Sequence, residues 1–142
     1  VSLGLKGFRS PSLLRDMDML RELEFDWDSS IPSWDPFQPQ PGGCNRYLPF
    51  HISEKTLELP VTMWQDFTIF SELRQKSSDI WKKQANQLHA SGALLNIIVH
   101  PDYFTGITEK SYTSFLKMVS ELDNAMVALP SEVVSLYRKS NN

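Results

Sequence analysis

The chain has 142 residues, of which 41% are hydrophobic and 22% charged, and its net charge is -3 at pH 7. This composition is typical of one globular domain, and without a basic run it excludes the electrostatic footprint of a nucleic-acid-binding surface. Cys44 is the only cysteine, which excludes an internal disulfide and a multi-cysteine metal site. No apolar run approaches the roughly 20 residues of a membrane span.

The predicted elements alternate between strands and helices along the chain. Five short segments favour strands because they are apolar or aromatic and end at turn-forming residues. They are 3–8, 25–28, 57–62, 93–99 and 126–129. Helical spacing of apolar residues and capping residues predict the helices. They cover 12–23, 66–75, 78–91, 108–122 and 131–138, and Gly92 is placed to end the third in a left-handed conformation.

The stretch from Ile31 to Pro49 is rich in proline and glycine and predicts a long irregular loop, which its aromatic residues anchor by packing. Alternating strands and helices indicate parallel β-α units, in which chemistry collects beyond the carboxyl ends of the strands. Arg9, Asp28, the segment 62–66 and His100 lie at those ends.

Five strings carry a resemblance to a known family through their order and spacing. They are Gly7-Phe8-Arg9-Ser10-Pro11, Phe25-Asp26-Trp27-Asp28-Ser29-Ser30, residues 35–43, residues 59–66 and Val99-His100-Pro101-Asp102. Together they resemble the C-terminal portion of polysaccharide deacetylases of the NodB-homology type, in carbohydrate esterase family four. The resemblance implies an α/β fold, namely a partial (β/α) barrel of the deacetylase type with about five parallel strands and flanking helices.

The resemblance also implies an activity, the metal-dependent hydrolysis of acetyl groups from a polysaccharide. It gives His100 the role of acid toward the leaving group, Arg9 that of bracing the catalytic base, and Asp66 with Trp64 that of tuning the catalytic histidine. Ile97 and Val99 are expected beside the acetyl methyl group. An envelope or secreted setting follows only by family analogy, and the glycan stays open.

Zinc or another divalent metal is expected for the complete family domain, held by an Asp-His-His set. The motifs that supply this set precede the Arg-x-Pro motif, and only six residues precede Gly7 here. His51, His89 and His100 lack the spacing that puts two ligands on one helical turn. We therefore expect this chain alone to bind no metal, to lack the base and to be inactive.

Structural alternatives remain for most of these residues. Arg9 equally suits a salt bridge with Asp28, and Asp66 equally suits a helix N-cap. A lone histidine such as His100 more often bonds to backbone, although the motif order favours the acid role. The aromatics Trp34, Phe37 and Trp64 suit packing better than sugar stacking.

Two further functions stay open. The chain is either a deacetylase portion or a non-catalytic carbohydrate-binding or interaction domain on the same fold, and an unrelated regulatory α/β domain is the third reading. An unpaired edge of a five-stranded sheet predicts association with a second copy. The central expectation is that Arg9 and His100 end neighbouring strands and face one cleft.

Overall fold

The computed structural model describes residues 4–141, so Leu3 of the first predicted strand lies outside the described residues. The described chain divides into two compact units. The first unit contains the residues up to Pro60 and those from Val127 onward, and the second contains Val61–Met126. Within the described residues no helix is long and apolar enough to cross a membrane.

The first unit is built on a small mixed sheet with the strand order β1-β2-β4-β3. Its strands are β1 (Gly7–Phe8), β2 (Trp27–Asp28), β3 (Phe50–His51) and β4 (Leu57–Glu58). The pairs β1–β2 and β2–β4 are parallel, and β3 is antiparallel to β4. The sheet is open at both ends, and its helices are α1 (Met17–Glu22) and α4 (Pro130–Ser140), of which α4 contacts β2.

Strand β1 requires a glycine at position 7, because the residue opposite it in β2 is a tryptophan. The two are register partners, and a Cβ added at Gly7 would fall 1.9 Å from Cε2 of Trp27. No side chain fits in this space, so only glycine lets β1 approach β2. One strand further, Asp28 and Glu58 are register partners between β2 and β4, and both side chains are buried.

The stretch between β2 and β3 is an irregular loop, as predicted, and it is braced by its own backbone. Asp35 and Gly42 exchange two N–H···O bonds of 3.0 Å, and Cys44 N–H donates to Pro32 O over 3.0 Å. A Cβ on Gly43 would lie 2.3 Å from Ser33 O, so glycine is required at this close approach.

The second unit is a helical core packed on an extended segment. Its helices are the π-helix Phe67–Glu72, α2 (Asp79–Ala90), the 3-10 turn Pro101–Tyr103 and α3 (Ile107–Ser120). Trp81, Ala85 and Leu88 lie at helical spacing on α2 and are buried with Phe115 of α3. The indole Nε1–H of Trp81 donates to Trp64 O over 2.6 Å, which satisfies the polar atom of the largest buried side chain.

The predicted strands agree with the structure in part. Segments inside three predictions form the parallel strands β1, β2 and β4, while β3 was not predicted. The stretches 93–99 and 126–129 were predicted as strands, and the structure has neither as a strand. Residues 93–99 are extended and half-buried rather than fully buried, and Met126, Val127 and Leu129 are exposed. Residues 4–141 therefore contain four short strands in one mixed sheet, which does not close into a barrel.

The predicted helices differ from the structure by a few residues at their ends, and the segment predicted as a helix over 66–75 is a π-helix over Phe67–Glu72. Ser12 does not cap a helix, since it has φ +53° in a 3-10 turn, and Asp16 caps α1 by accepting from the N–H groups of Asp18 and Met19. The last two helices begin at Ile107 and Pro130, one residue before the predicted starts. The prediction for the end of α2 is correct, with Gly92 at φ +65°.

Candidate functional site

The second unit brings Asp66 and His100 together. Asp66 immediately precedes the π-helix, and His100 ends the extended segment 93–99. Hydrogen bonds fix this segment against residues 62–66, since Asn96 O accepts from Thr62 N–H over 3.0 Å and Ile98 O accepts from Asp66 N–H over 3.4 Å. The two side chains then meet, with 2.7 Å between Asp66 Oδ1 and His100 Nδ1.

The Asp66 carboxyl group is held by three donors. Its side chain is 0% exposed. Oδ1 accepts from Phe67 N–H over 2.8 Å and from the imidazole, and Oδ2 accepts from His100 N–H. Buried carboxylates are tolerated only with such partners. The N-cap and histidine-partner interpretations of Asp66 are therefore compatible, because one carboxyl group makes both sets of contacts.

His100 differs from Asp66 in its access to water. Its side chain is 47% exposed, and its ring makes an edge contact with Tyr103 at a centroid distance of 5.9 Å. Because Asp66 accepts a hydrogen bond at Nδ1, the neutral imidazole carries its proton there. Nε2 has no hydrogen-bond partner among residues 4–141. The pair can therefore hold or release a proton at Nε2.

The other predicted residues of this unit pack on its core. Trp64, Ile97 and Val99 are half-buried and contact the cluster around Trp81. Trp64 also contributes its carbonyl oxygen to the indole of Trp81. Packing thus accounts for all three, and their predicted contact with an acetyl group or sugar stays a prediction.

Arg9 lies in the first unit, directly after β1, and part of its side chain is exposed. Its Nε donates to Ser29 O over 2.9 Å and its Nη2 donates to Ser29 Oγ over 2.7 Å. Burial lowers the pKa of Arg9, while the nearby carboxyl groups of Glu58 and Asp28 oppose this change. Arg9 thus lies near acidic groups, and its bracing role and its proximity to His100 stay predictions. The expectation that His100 ends a strand is wrong, because residues 93–99 form no strand.

The described residues do not form a metal cage. Within residues 4–141, no group of three or more His, Cys, Asp or Glu side chains is arranged to hold a metal ion. The donor set that the resemblance implies, an aspartate with two histidines, is not assembled by these residues.

Three residues of these surroundings were not identified from the sequence. Tyr103 contacts the ring of His100, Ser29 accepts two hydrogen bonds from Arg9, and Glu58 is fully buried opposite Asp28. Glu58 gave a signal, since a glutamate between Leu57 and Leu59 interrupts an apolar strand. Tyr103 and Ser29 gave none, because their contacts depend on turns and on pairing between distant segments.

Comparison with protein families, with curated proteins and with solved structures finds no match to this chain. The interpretation of the site therefore depends on its geometry and on the motifs in its sequence.

Proposed function

We propose that the chain carries the proton-donating part of a carbohydrate deacetylase, with His100 as the general acid and Asp66 as the residue that orients it. The observation that supports this most directly is the 2.7 Å contact between a fully buried carboxylate and a half-exposed imidazole. Such an arrangement fixes the ring and leaves one nitrogen facing water, which general acid catalysis requires.

The chemistry follows from the two nitrogens of the imidazole. Asp66 accepts from Nδ1–H and orients the ring, so that Nε2 can donate a proton toward a leaving amine or alcohol. Departure of an amine from a cleaved amide requires such a proton. The exposed position of the ring allows a bulky substrate to approach it, which suits a polysaccharide.

We also propose that the fold is a partial (β/α) barrel of the deacetylase type. It is supported by the parallel pairing of β1, β2 and β4 and by the position of the polar residues after the strands. Water activation in the complete family centre is supplied by a zinc site, and we propose that the groups for it lie outside the residues described. The chain alone is then expected to release no acetate.

The test is acetate release by the product of the complete reading frame that encodes this chain. Acetylated chitin oligomers and acetylated peptidoglycan fragments are the substrates, and His100→Gln and His89→Gln are the matched variants. His100→Gln should lower kcat about 10²- to 10⁴-fold, the usual contribution of a general acid. His89→Gln, a half-buried histidine of α2, should leave kcat unchanged. Absence of acetate release from every substrate, or equal rates in both variants, would refute the proposal.

A second candidate function is supported by the aromatic residues of the loop from Ile31 to Pro49. Trp34 and Tyr47 expose about half of their surfaces on a segment that its own hydrogen bonds brace. Aromatic rings fixed in this way suit stacking on pyranose rings, and such binding needs no catalysis. Titration of the chain with chitin oligomers should then quench tryptophan fluorescence, and Trp34→Ala should abolish the quenching.

We also propose association with a second copy through an open edge in the second unit. The backbone groups of Leu95, Ile97 and Val99 form no hydrogen bond with any residue from 4 to 141. The segment around them is uncharged and apolar, so two copies could pair without repulsion. Sedimentation should show a dimer that Ile97→Pro converts to a monomer; a monomeric wild-type chain would exclude it.

A further inference from the structure

The first unit contains two acidic side chains that face each other away from water. Asp28 and Glu58 are register partners in the parallel strands β2 and β4, whose backbones lie about 4.8 Å apart. Side chains of register partners project from the same face of a sheet. Asp28 is 1% exposed and Glu58 is 0% exposed. Two carboxylates in this position repel each other without screening by solvent.

The hydrogen bonds of Asp28 and Glu58 are unequal. Asp28 accepts from Ser30 Oγ over 2.8 Å and from Ser30 N–H over 3.0 Å, so both of its oxygens have donors. Glu58 Oε1 accepts from Ile31 N–H over 3.0 Å. Glu58 Oε2 is buried without a hydrogen-bond partner in the described part of the chain. An ionised oxygen in this position would cost several kcal/mol, whereas a protonated one could donate to an acceptor.

The charges around the pair do not compensate two carboxylates. Arg9 is the main nearby cation, and it donates Nε and Nη2 to Ser29. Arg15 is a more distant one, and Cys44 also interacts electrostatically with Glu58. On α4, which packs on β2, Glu132, Arg138 and Lys139 are exposed, while Tyr137 is half-buried with its ring against that of His51 in β3. Arg9 is therefore the cation that mainly opposes the two buried acids.

We propose that Asp28 and Glu58 hold one proton between them in the folded protein, with Glu58 Oε2 donating it to Asp28, and that this proton makes the first unit sensitive to pH. The inference goes beyond the proposed function and does not depend on it. It satisfies the buried oxygen of Glu58 and leaves one net negative charge opposite Arg9. Burial and the neighbouring Asp28 raise the pKa of Glu58 to about 9, in agreement.

The pair is connected to the segments that leave the strands. Ser30 Oγ donates to Asp28 and accepts from Ser10 N–H over 2.8 Å, which joins the segment after β1 to the segment after β2. Ile31, the next residue, is held by Glu58. Removal of the shared proton would place two negative charges inside this connection. The expected consequence is loss of order at the carboxyl ends of β1 and β2.

The direction of the pH effect follows from linkage. A glutamate in the unfolded chain loses its proton near its ordinary pKa of 4.5, while folded Glu58 keeps it up to about 9. Unfolding between these values releases a proton, so stability is greatest at low pH and is lost as the pH rises through 9. For one proton, the folding equilibrium constant falls by up to about tenfold per pH unit.

The test uses the 142-residue chain and follows urea unfolding from pH 5 to pH 9. Glu58→Gln keeps a hydrogen-bond donor beside Asp28 and cannot ionise, so its stability should depend less on pH than that of the wild type. The ratio of the two folding equilibrium constants should change by up to about tenfold per pH unit. Glu22→Gln, the same change at an exposed position of α1, should keep the wild-type dependence. Equal dependence in the wild type and Glu58→Gln would overturn the proposal.

A second measurement uses only the wild-type chain, so it does not depend on whether a variant folds. The carboxyl ¹³C resonances of the glutamates in the wild-type chain should show one that remains in the protonated form at pH 7. Titration of every glutamate below pH 6 would overturn the proposal independently of any stability measurement.

Discussion

Asp66 and Asp28 are both buried, but one carboxyl group faces a hydrogen-bond donor and the other faces a second acid. Asp66 meets an imidazole that donates to it and reaches solvent, while Asp28 meets Glu58, a second acid that is fully buried. The first arrangement is satisfied without an added proton, whereas the second requires one. Equal burial therefore gives a solvent-facing acid-base pair in one unit and an internal proton in the other. Four measurements test this contrast.

At a fixed pH, the largest loss of stability is expected from Asp66→Ala, because this change removes the acceptor of several donors at once. The N–H groups of Phe67 and His100 would lose their partner, as would the ring of His100. We expect the free energy of unfolding to fall by about 3 kcal/mol, from the cost of leaving buried donors unsatisfied. Urea denaturation measures it, and a loss no greater than that of an exposed change such as Glu22→Gln would contradict the assigned network.

The second effect assigns the pH sensitivity to one unit. Asp66→Asn should be less stable than the wild type at every pH, yet its stability should fall toward alkaline pH as in the wild type, because Glu58 is intact. The folding equilibrium constant of both chains should fall by up to about tenfold per unit between pH 5 and pH 9. Thermal unfolding at several pH values measures this. If the stability of Asp66→Asn did not depend on pH, the titrating group would lie in the second unit, and the prediction would be wrong.

The third effect concerns the coupling between Asp28 and Glu58. Asp28→Asn retains an oxygen that can accept from protonated Glu58 and should cost about 1 kcal/mol at pH 7. In a double-mutant cycle with Glu58→Gln, we expect a coupling free energy of about 0.5–3 kcal/mol, the range for residues in contact. Additive losses would show that the two side chains do not share a hydrogen bond.

The smallest effect is expected at Tyr103, whose ring meets the edge of His100. Tyr103→Leu keeps an apolar side chain but removes the aromatic contact, which is worth about 0.5–1.5 kcal/mol. The ring signals of His100 in the NMR spectrum should shift and broaden, while signals of His51 in the first unit should not change. Unchanged His100 signals would show that Asp66 alone fixes the imidazole.

The sequence predicted local elements better than the pairing of segments. The prediction of a helix over 78–91 matches α2 at 79–90, because three buried residues at helical spacing and a closing glycine act within one segment. The segments 93–99 and 126–129 were equally apolar, and neither is a strand. A strand exists only where a second segment completes its hydrogen bonds, and the partner is not written in the segment itself.

The site shows the same division. Motif order indicated His100 and Asp66, and the structure places them within hydrogen-bonding distance. Motif order also indicated Arg9 but not its partner Ser29, because that contact arises from the parallel pairing of β1 with β2. The position of Glu58 between two leucines was visible in the sequence, but its partner Asp28 was not, because that contact arises from the parallel pairing of β2 with β4.

The amino-acid sequence was enough to predict the α/β composition, the irregular loop and helix α2, and it singled out Asp66 and His100. Only the tertiary structure decided which strands pair, in which direction β3 runs and which acid is opposed to which partner. The physical reason is that helix periodicity and turn chemistry act over a few residues. Register and burial depend on segments far apart in the chain, and they decide whether a carboxyl group meets a donor or a second acid.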